Sequence, residues 1–524
     1  MTKQVCILGL LLSCFCVVGN ADSIERKGRG LRDIVAEKCP GDNVYIGAAT
    51  GIGQTNGPIG KILKQEFSYL TPENDFKQHL IHPQPGKWNW KNADAWVKFA
   101  KENKQVIRIH GPISPQCSRW ANDDSRTAKE LETNLKEYMT AMCKRYNSHH
   151  KTVRWLDVVN ETVSNSGKWM MPLAGTDKWE NPWPKIGFEK DIPPQFTALK
   201  DGVPLYIIQA FEIANKEAPN IKLVINQHGN LDEKVWAKIK DLVLYLRWRG
   251  LRVDGIGWQG HVKYMHDKNW STDGKNLKYL SGLIAWAHKN KLEFHVTENN
   301  IHDKVTEPDK PEEYAQVIGN ILKTVLAHRD TGVVTWNLWG INDRPHYNQK
   351  ELVIRSLWDK NNVPNKSYYR VQEILEDLPY DNLTAGNDVK VSTNSVCRGE
   401  KCFAGENVID GNLQNKGHGS EFPSWGPDKR EDLWLKIEFA EKVTVDRVDL
   451  LIRADFPHDS YWHTAKLEFS DGSSQLIKIE KTAAMQTFTF DKRQSRWVKF
   501  TDLVQEKPLG WCGFTEVIVW GYGN

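Results

Sequence analysis

Short apolar runs alternate with longer amphipathic stretches from about residue 43 to residue 378. The runs at 44–48, 67–70, 106–110, 153–159, 222–225, 253–258, 292–297 and 333–338 have strand length and are rich in β-branched and aromatic residues. They are nearly continuously apolar, as strands covered on both faces should be. Between them, 128–146, 205–217, 233–249, 277–290 and 312–328 carry apolar residues at three- and four-residue spacing and predict helices. Eight strand–helix units over this length predict a (β/α)8 barrel, the TIM-barrel architecture. A doubly wound open sheet is the main competitor. It usually carries a Gly-rich phosphate loop after its first strand. Here Gly51-Ile52-Gly53-Gln54-Thr55-Asn56-Gly57 lacks that spacing and reads as a turn.

The pattern changes around 379–388. Beyond it the chain is strand-rich, with alternation at 433–439, 443–452, 465–469, 487–490 and 497–500 and turn signals such as Asp471-Gly472. That predicts a separate all-β sandwich. The expected organisation is a leader at 1–21, a barrel at 22–379, a linker at 380–388 and a sandwich at 389–524. Within the barrel, 163–202 holds Trp169, Trp179, Trp183 and several prolines without periodicity. Such an insertion on the active face reads as a lid or binding wall.

The leader shows Lys3, an apolar stretch from Val5 to Val18 and then Gly19-Asn20-Ala21, the outline of an export signal too short to span a bilayer. Leu11-Leu12-Ser13-Cys14 also fits a lipoprotein cleavage box, so two outcomes stand open: free secretion, or a lipid tether on Cys14. No later stretch reaches membrane-spanning length, and a monomer is expected. With 70 Lys+Arg against 66 Asp+Glu among 524 residues, there is no basic field for nucleic acid. Six of the nine cysteines follow the leader, and Cys397 with Cys402 would close a short loop in an oxidising compartment. The cysteine spacings match no zinc site. The 22 tryptophans are apolar platforms with one donor, suited to cores and to sugar faces alike.

Two strands end at a carboxylate. Val153-Arg154-Trp155-Leu156-Asp157-Val158-Val159-Asn160-Glu161 and Leu292-Glu293-Phe294-His295-Val296-Thr297-Glu298 each stop at a Glu followed by polar, loop-like residues. Loops at the C-terminal edge of parallel strands converge, so Glu161 and Glu298 are brought to one face. Two carboxylates there suit glycosidic bond cleavage, one protonating the leaving oxygen and the other attacking or activating water. Other strand ends add Glu73, Asn74, Lys77, His110, Asn226, Gln259, His261 and Trp339. That mixture of hydrogen-bonding groups and an indole is what a sugar needs.

The segments Thr71-Pro72-Glu73-Asn74-Asp75-Phe76-Lys77, Trp155-Leu156-Asp157-Val158-Val159-Asn160-Glu161, Gly255-Ile256-Gly257-Trp258-Gln259-Gly260-His261, His295-Val296-Thr297-Glu298 and Trp339-Gly340-Ile341-Asn342-Asp343 resemble glycoside hydrolase family 10. That is the endo-β-1,4-xylanase family of retaining barrels. The resemblance covers roughly residues 43–378. It implies Glu161 as acid/base with a raised pKa, Glu298 as ionised nucleophile ~5–5.5 Å away, and no cofactor for catalysis. It further implies that Asn160 binds the 2-hydroxyl of the cleaved sugar and that His261 orients Glu298 with Gln259 nearby. Glu73, Asn74, Lys77 and His110 would bind sugars on the glycone side, over a floor made by Trp339.

The chain departs from that family in one stretch. Gly111-Pro112-Ile113-Ser114-Pro115-Gln116-Cys117 puts Ser114 and Pro115 where the family has Trp and His. Cys117 takes a Gln position unless Gln116 has shifted into it. The second floor Trp is replaced in register by Tyr347. After residue 388, Glu406-Asn407-Val408-Ile409-Asp410-Gly411-Asn412, 433–439, 467–472 and 514–521 resemble the discoidin, or factor 5/8 type C, jelly-roll domain, often a carbohydrate-binding module. Asp410 and Asn412 offer oxygens to a structural Ca2+, or simply form an Asp-Gly turn. Trp425, Tyr461, Trp462 and His463 either pack in the core or stack on sugar. The expected function is secreted, retaining endo-hydrolysis of β-1,4-xylan or a xylan-like polysaccharide. Its rivals are the same mechanism on a different β-glycan, motivated by Ser114 and Pro115, and a non-catalytic glycan-binding protein.

Overall fold

The computed structural model describes residues 26–39, 42–174, 181–263, 268–272, 274–329, 331–385, 388–417, 419–505 and 510–522. The expected leader, with Cys14, lies outside the described residues, as does Trp179. Eight parallel strands close a barrel: β1 (Val44–Thr50), β2 (Tyr69–Pro72), β3 (Val106–Ile109), β4 (Val153–Asn160), β5 (Lys222–Gln227), β6 (Gly255–Trp258), β7 (Glu293–Lys304) and β8 (Val334–Trp339). Each pairs with the next, and β8 returns to β1. β1 and β2 are buried throughout, the consequence of helices outside and side chains inside. The outer helices present the expected stripes. In Ala128–Asn147 the buried residues Leu131, Leu135, Tyr138, Met142 and Tyr146 recur at three or four positions, and Thr127 with Glu130 forms a capping box.

The expected strand at 292–297 runs on to Lys304. The extra length pairs with His261–Lys263 and, antiparallel, with Leu352–Arg355 beyond the barrel rim. The insertion is held down by indoles. Trp169 Nε1 donates to Gly202 O at 2.8 Å and Trp183 Nε1 to Ser114 O at 3.1 Å.

The barrel interior is layered. At its N-terminal end Tyr45, Tyr69, Trp155 and Val224 form an apolar plug separate from the outer core. Trp155 meets Tyr45 edge-on with ring centroids 5.0 Å apart and donates through Nε1 to Glu293 Oε2 at 2.7 Å. Burial raises the Glu293 carboxyl, and the indole donor, Lys222 and Arg154 offset part of that. Above the plug sit Arg108, Asp157, Thr335 and Asn337, all fully buried.

A second core gathers Val408, Trp425, Leu435, Trp462, Phe500, Phe514 and their neighbours under an antiparallel sheet. Its main strands are β9 (Leu435–Ile452), β10 (Trp462–Phe469), β11 (Ser474–Lys478), β12 (Gln486–Gln505) and β13 (Phe514–Tyr522). Pairs of expected strands merge into β9 and β12, which pair with register shifts between Glu438 and Val443 and again after Val445. Bulges of this kind bend a strand without ending it. Two readings left open by the sequence are decided here. Trp425 and Trp462 are buried and pack on Phe514, so they belong to the core and not to a sugar platform. Cys397 and Cys402 carry free thiols. Cys397 bonds to Asp428, and Cys402 Sγ lies 3.7 Å from Glu400 Oε2. Among the described residues no helix is long and apolar enough to cross a membrane.

Replacing Trp155 by Ala removes the plug and strips Glu293 of its buried donor. The barrel's unfolding transition should lose about 3–5 kcal/mol, while that of the second domain stays in place. Urea unfolding followed by a separate probe in each domain checks this.

Candidate active site

Strict alternation along a strand would send Asp157 and Asn160 to opposite faces, because they are three residues apart. Both point into the barrel. Asp157 Oδ2 lies 2.9 Å from Arg108 Nη1, and Asn160 Oδ1 accepts from Asn226 Nδ2 at 2.9 Å. The discrepancy is absorbed by an extra residue in β4 between Asp157 and Val159, opposite Val224 and Ile225 of β5. β7 does the same between Val296 and Asn299. There the adjacent residues Thr297 and Glu298 both turn inward, Thr297 Oγ1 donating to Asn226 Oδ1 at 2.8 Å and Glu298 Oε1 accepting from Asn226 Nδ2 at 3.0 Å. Glu161 thus follows a bulge that re-aims its strand, and Glu298 lies within one.

Glu298 is buried and surrounded by donors. Besides Asn226, His261 Nε2 lies 3.2 Å from its Oε2 and His110 Nδ1 3.8 Å from its Oε1. Burial pushes its carboxyl up, but His110, His261 and Arg108 outweigh burial and hold it at about 2. Glu298 is therefore ionised at any pH at which the protein works. Asn300 Nδ2 donates to Trp339 O at 3.1 Å, so Asn300 Oδ1 faces His261 Nδ1 at 2.9 Å as an acceptor. Both ring nitrogens of His261 thus face oxygen atoms, and the ring is held against Glu298.

Glu161 is placed differently. It follows β4 in a left-handed conformation, φ 57°, uncommon for a residue with a side chain and a mark of functional sites. Its N–H donates to Asn226 O at 3.0 Å, its Oε1 accepts from Gln259 Nε2 at 2.8 Å, and its Oε2 is 4.0 Å from His228 Nδ1. Its side chain keeps 14% of its exposure against 4% for Glu298. One carboxylate is enclosed and charge-compensated; the other faces the opening.

Both line a cleft of about 760 Å3, with Glu73, Asn74, Lys77, His110, Gln259, His261, Trp339 and Tyr347. Ten of the eleven residues expected at the site thus share one hollow. Asn160, the eleventh, is not part of the lining; it is buried and its Oδ1 accepts from Asn226 and Gln259. Lys77 Nζ donates to Asn74 Oδ1 at 3.0 Å and lies 5.9 Å above the Trp339 ring. Burial lowers the Lys77 ammonium, and Glu298, Glu161 and Glu73 pull it back. Tyr347 is 75% exposed and stacks on His346. Ser114 and Pro115 are buried outside the cleft, while Gln116 lines it and accepts from Lys77.

A model of glycosyl hydrolase family 10 matches residues 35–374. The chain belongs to that family. It is a glycoside hydrolase. It is 29% identical over 357 residues to endo-1,4-beta-xylanase A of Caldicellulosiruptor saccharolyticus, an alignment spanning 63% of this chain and 93% of that protein. It is 26% identical to endo-1,4-beta-xylanase B of Thermotoga neapolitana, spanning 71% and 97%. Among solved structures it resembles native xylanase 10B from Thermotoga maritima, with TM-score 0.54, 25% identity and coverage of 66% and 98%.

In this family 10 chain several cleft residues carry no obvious sequence signal. His302 and His346 are T-shaped to each other, ring centroids 4.8 Å apart, and His302 is driven to about 2 by burial with His261 and His346 adding to it. Trp258 and Trp270 stack at 5.9 Å along another wall. Asn226 bonds Asn160, Thr297 and Glu298 together, yet in sequence it is only a polar strand end. Arg108 and Asp157 had a signal: charges inside apolar strands have to be paired. Among the described residues no group of three His, Cys, Asp or Glu side chains is disposed to hold a metal.

Replacing Asn300 by Ala removes the acceptor on His261 Nδ1 and frees the ring that contacts Glu298. kcat/KM should fall on the order of 10-fold or more, with the melting temperature nearly unchanged. Steady-state kinetics beside a thermal melt decide this; an unchanged kcat/KM would mean that Asn300 does not position His261.

Proposed function

We propose that this family 10 enzyme is a retaining endo-glycosidase of β-1,4-xylan or a xylan-like polysaccharide, with Glu298 as nucleophile and Glu161 as acid/base. The observation that carries the assignment is the contrast between the two carboxylates. Glu298 is held ionised, so it is ready to attack the anomeric carbon. Glu161, on the open side with Gln259 on one oxygen, can give its proton to the leaving oxygen. The first step forms the bond from Glu298 Oε to the anomeric carbon as the glycosidic bond breaks and Glu161 loses its proton. In the second, Glu161 takes a proton from water, which displaces Glu298 and restores the original anomeric configuration. Asn160 is assigned to the 2-hydroxyl through its amide N–H, since its Oδ1 already accepts from Asn226 and Gln259, a contact that would strengthen in the transition state. The names of the relatives favour xylan, and Ser114 and Pro115 do not argue against it, since neither reaches the cleft. We also read the chain as exported and monomeric, divided into a barrel at 22–379, a linker at 380–388 and a discoidin-like glycan-targeting sandwich at 389–524.

Glu298→Ala should lower kcat on xylan on the order of 10^4-fold or more, and azide should rescue it with α-glycosyl azide as product. Glu161→Ala rescued by azide should instead yield the β-glycosyl azide, because the nucleophile is still present. Reducing-sugar release from a panel of β-glycans identifies the substrate. No release from any of them would favour a non-catalytic binding protein.

For the sandwich, the structural Ca2+ reading gains from a residue the Asp410–Asn412 turn alone does not reveal. Glu516 is buried, accepts from Gly411 N–H at 3.3 Å, and is raised to about 8 by burial and by Asp410. Two carboxylates in one partly buried place fit a cation. Asn412 itself fits less well, since its Oδ1 caps Gln414 N–H. Glu516 is raised above its ordinary 4.5, so without a cation its contribution is full below 4.5 and fades as pH rises towards 8. Chelated protein should lose stability in the second domain across that window, and added Ca2+ should restore it. Calorimetric melting with EGTA and with Ca2+ checks this, and curves that coincide at pH 8 would remove the cation.

A further inference from the structure

Beside the catalytic cleft lies a second hollow of about 610 Å3, a size at which small ligands are held, and the two share Asn74 and Gln116 as walls. Residues 116–120 all line it, so it is built by the continuation of the stretch in which this chain departs from its family. The hollow and the cleft differ in charge. The cleft contains Glu73, Glu161 and Glu298; no carboxylate lines the hollow. Its charged member is Arg119, which is exposed and has no hydrogen-bond or ion-pair partner among the described residues. Trp120 adds a half-exposed indole, and Arg126 lies over that ring at 5.1 Å. His79 is kept neutral by burial and by Lys77, so its ring offers a hydrogen-bonding edge.

Resting on the endo-xylanase reading above, we propose that this hollow receives a carboxylate-bearing side group, a uronic acid, branching from the main-chain sugar held at Asn74 and Gln116. The chemistry is specific to that class. An unpaired guanidinium offers a carboxylate two parallel N–H donors, and indole offers the apolar face of a ring a surface. A lining without carboxylates raises no opposing field. A neutral pentose branch could use Trp120 and the amides but leaves Arg119 without a function. The bland alternative is that Arg119 is one more solvated surface cation, and that is the reading the experiment must defeat.

The test compares intact wild-type enzyme and Arg119→Gln on three substrates: linear xylo-oligosaccharide, the same oligosaccharide with one glucuronic acid branch, and the same with one arabinose branch. Arg119→Gln should lower kcat/KM on the glucuronic acid compound about 10-fold, the scale of one charge-assisted pair. It should leave the linear and arabinose-branched compounds unchanged. The wild-type preference should shrink as salt is raised, because the cation is exposed. Equal effects on all three, or no effect on any, overturn the hollow's assignment while leaving the xylanase reading standing. Wild-type enzyme inactive on the linear compound overturns both. Measuring the affinity of Glu298→Ala, with and without Arg119→Gln, for the branched compound separates binding from turnover. An unchanged dissociation constant there also sinks the proposal.

Discussion

The site depends on keeping one carboxylate ionised where water hardly reaches it. Glu298 is 3% exposed, and an uncompensated charge there would cost several kcal/mol and be removed by taking up a proton. The compensation comes in a chain. Arg108 lies in the layer below, paired with Asp157; Asp157 also touches His110 at 3.1 Å; His110 faces Glu298; and His261 closes the other side. Asn337, donating to Thr297 O at 2.7 Å, and Asn226 fill the remaining acceptors. The layer is polar because the residue above it must be charged. The plug beneath it is aromatic, and the one carboxylate that reaches it, Glu293, takes the Trp155 indole proton.

That arrangement demands inward side chains at positions that simple alternation forbids, and the two bulges answer it. They also leave no room for side chains between the strands they re-aim. A Cβ on Gly257 would lie 2.6 Å from Asn226 Oδ1 and 2.8 Å from Thr297 Cγ2. β6 therefore has glycine where its neighbours bring their polar groups together. The left-handed backbone at Glu161 is the same kind of compromise: β4 is turned sharply so that its last two residues can serve the network and the opening separately.

Much of this was legible in the chain. The eight strands and their order follow from apolar runs, and the ends that matter are marked by polar residues after β-branched ones. What periodicity could not reveal is phase. Asn160 beside Asp157, or Glu298 beside Thr297, looks in sequence like an alternation of faces, and only the pairing partner shows the extra residue. Asn226 was marked as a polar strand end, but its linking role shows only when its amide is seen bonded to Asn160, Thr297 and Glu298 at once. In the second domain Trp425 and Trp462 stood open between two roles because tryptophan is equally at home in a core and on a sugar-binding surface. Their neighbours in space, Phe514 above all, decide, and those lie far off in sequence.

The stretch from Gly111 to Cys117, expected to differ from the family pattern, is fixed beside the cleft by its backbone. Gly111 adopts φ 58°, and a Cβ there would meet Lys77 Cε at 3.3 Å, so the chain must turn away from the cleft at that point. Ile113 O then accepts from Asn160 N–H at 2.9 Å, which ties the segment to the end of β4. Ser114 O takes the indole proton of Trp183, so the insertion braces it from behind. With its backbone fixed at both points, Ser114 and Pro115 are buried and Gln116 emerges into the cleft beside Lys77. The amide that contacts the cleft is thus that of Gln116, delivered there by backbone geometry. The residues just beyond it are free to build a wall of their own.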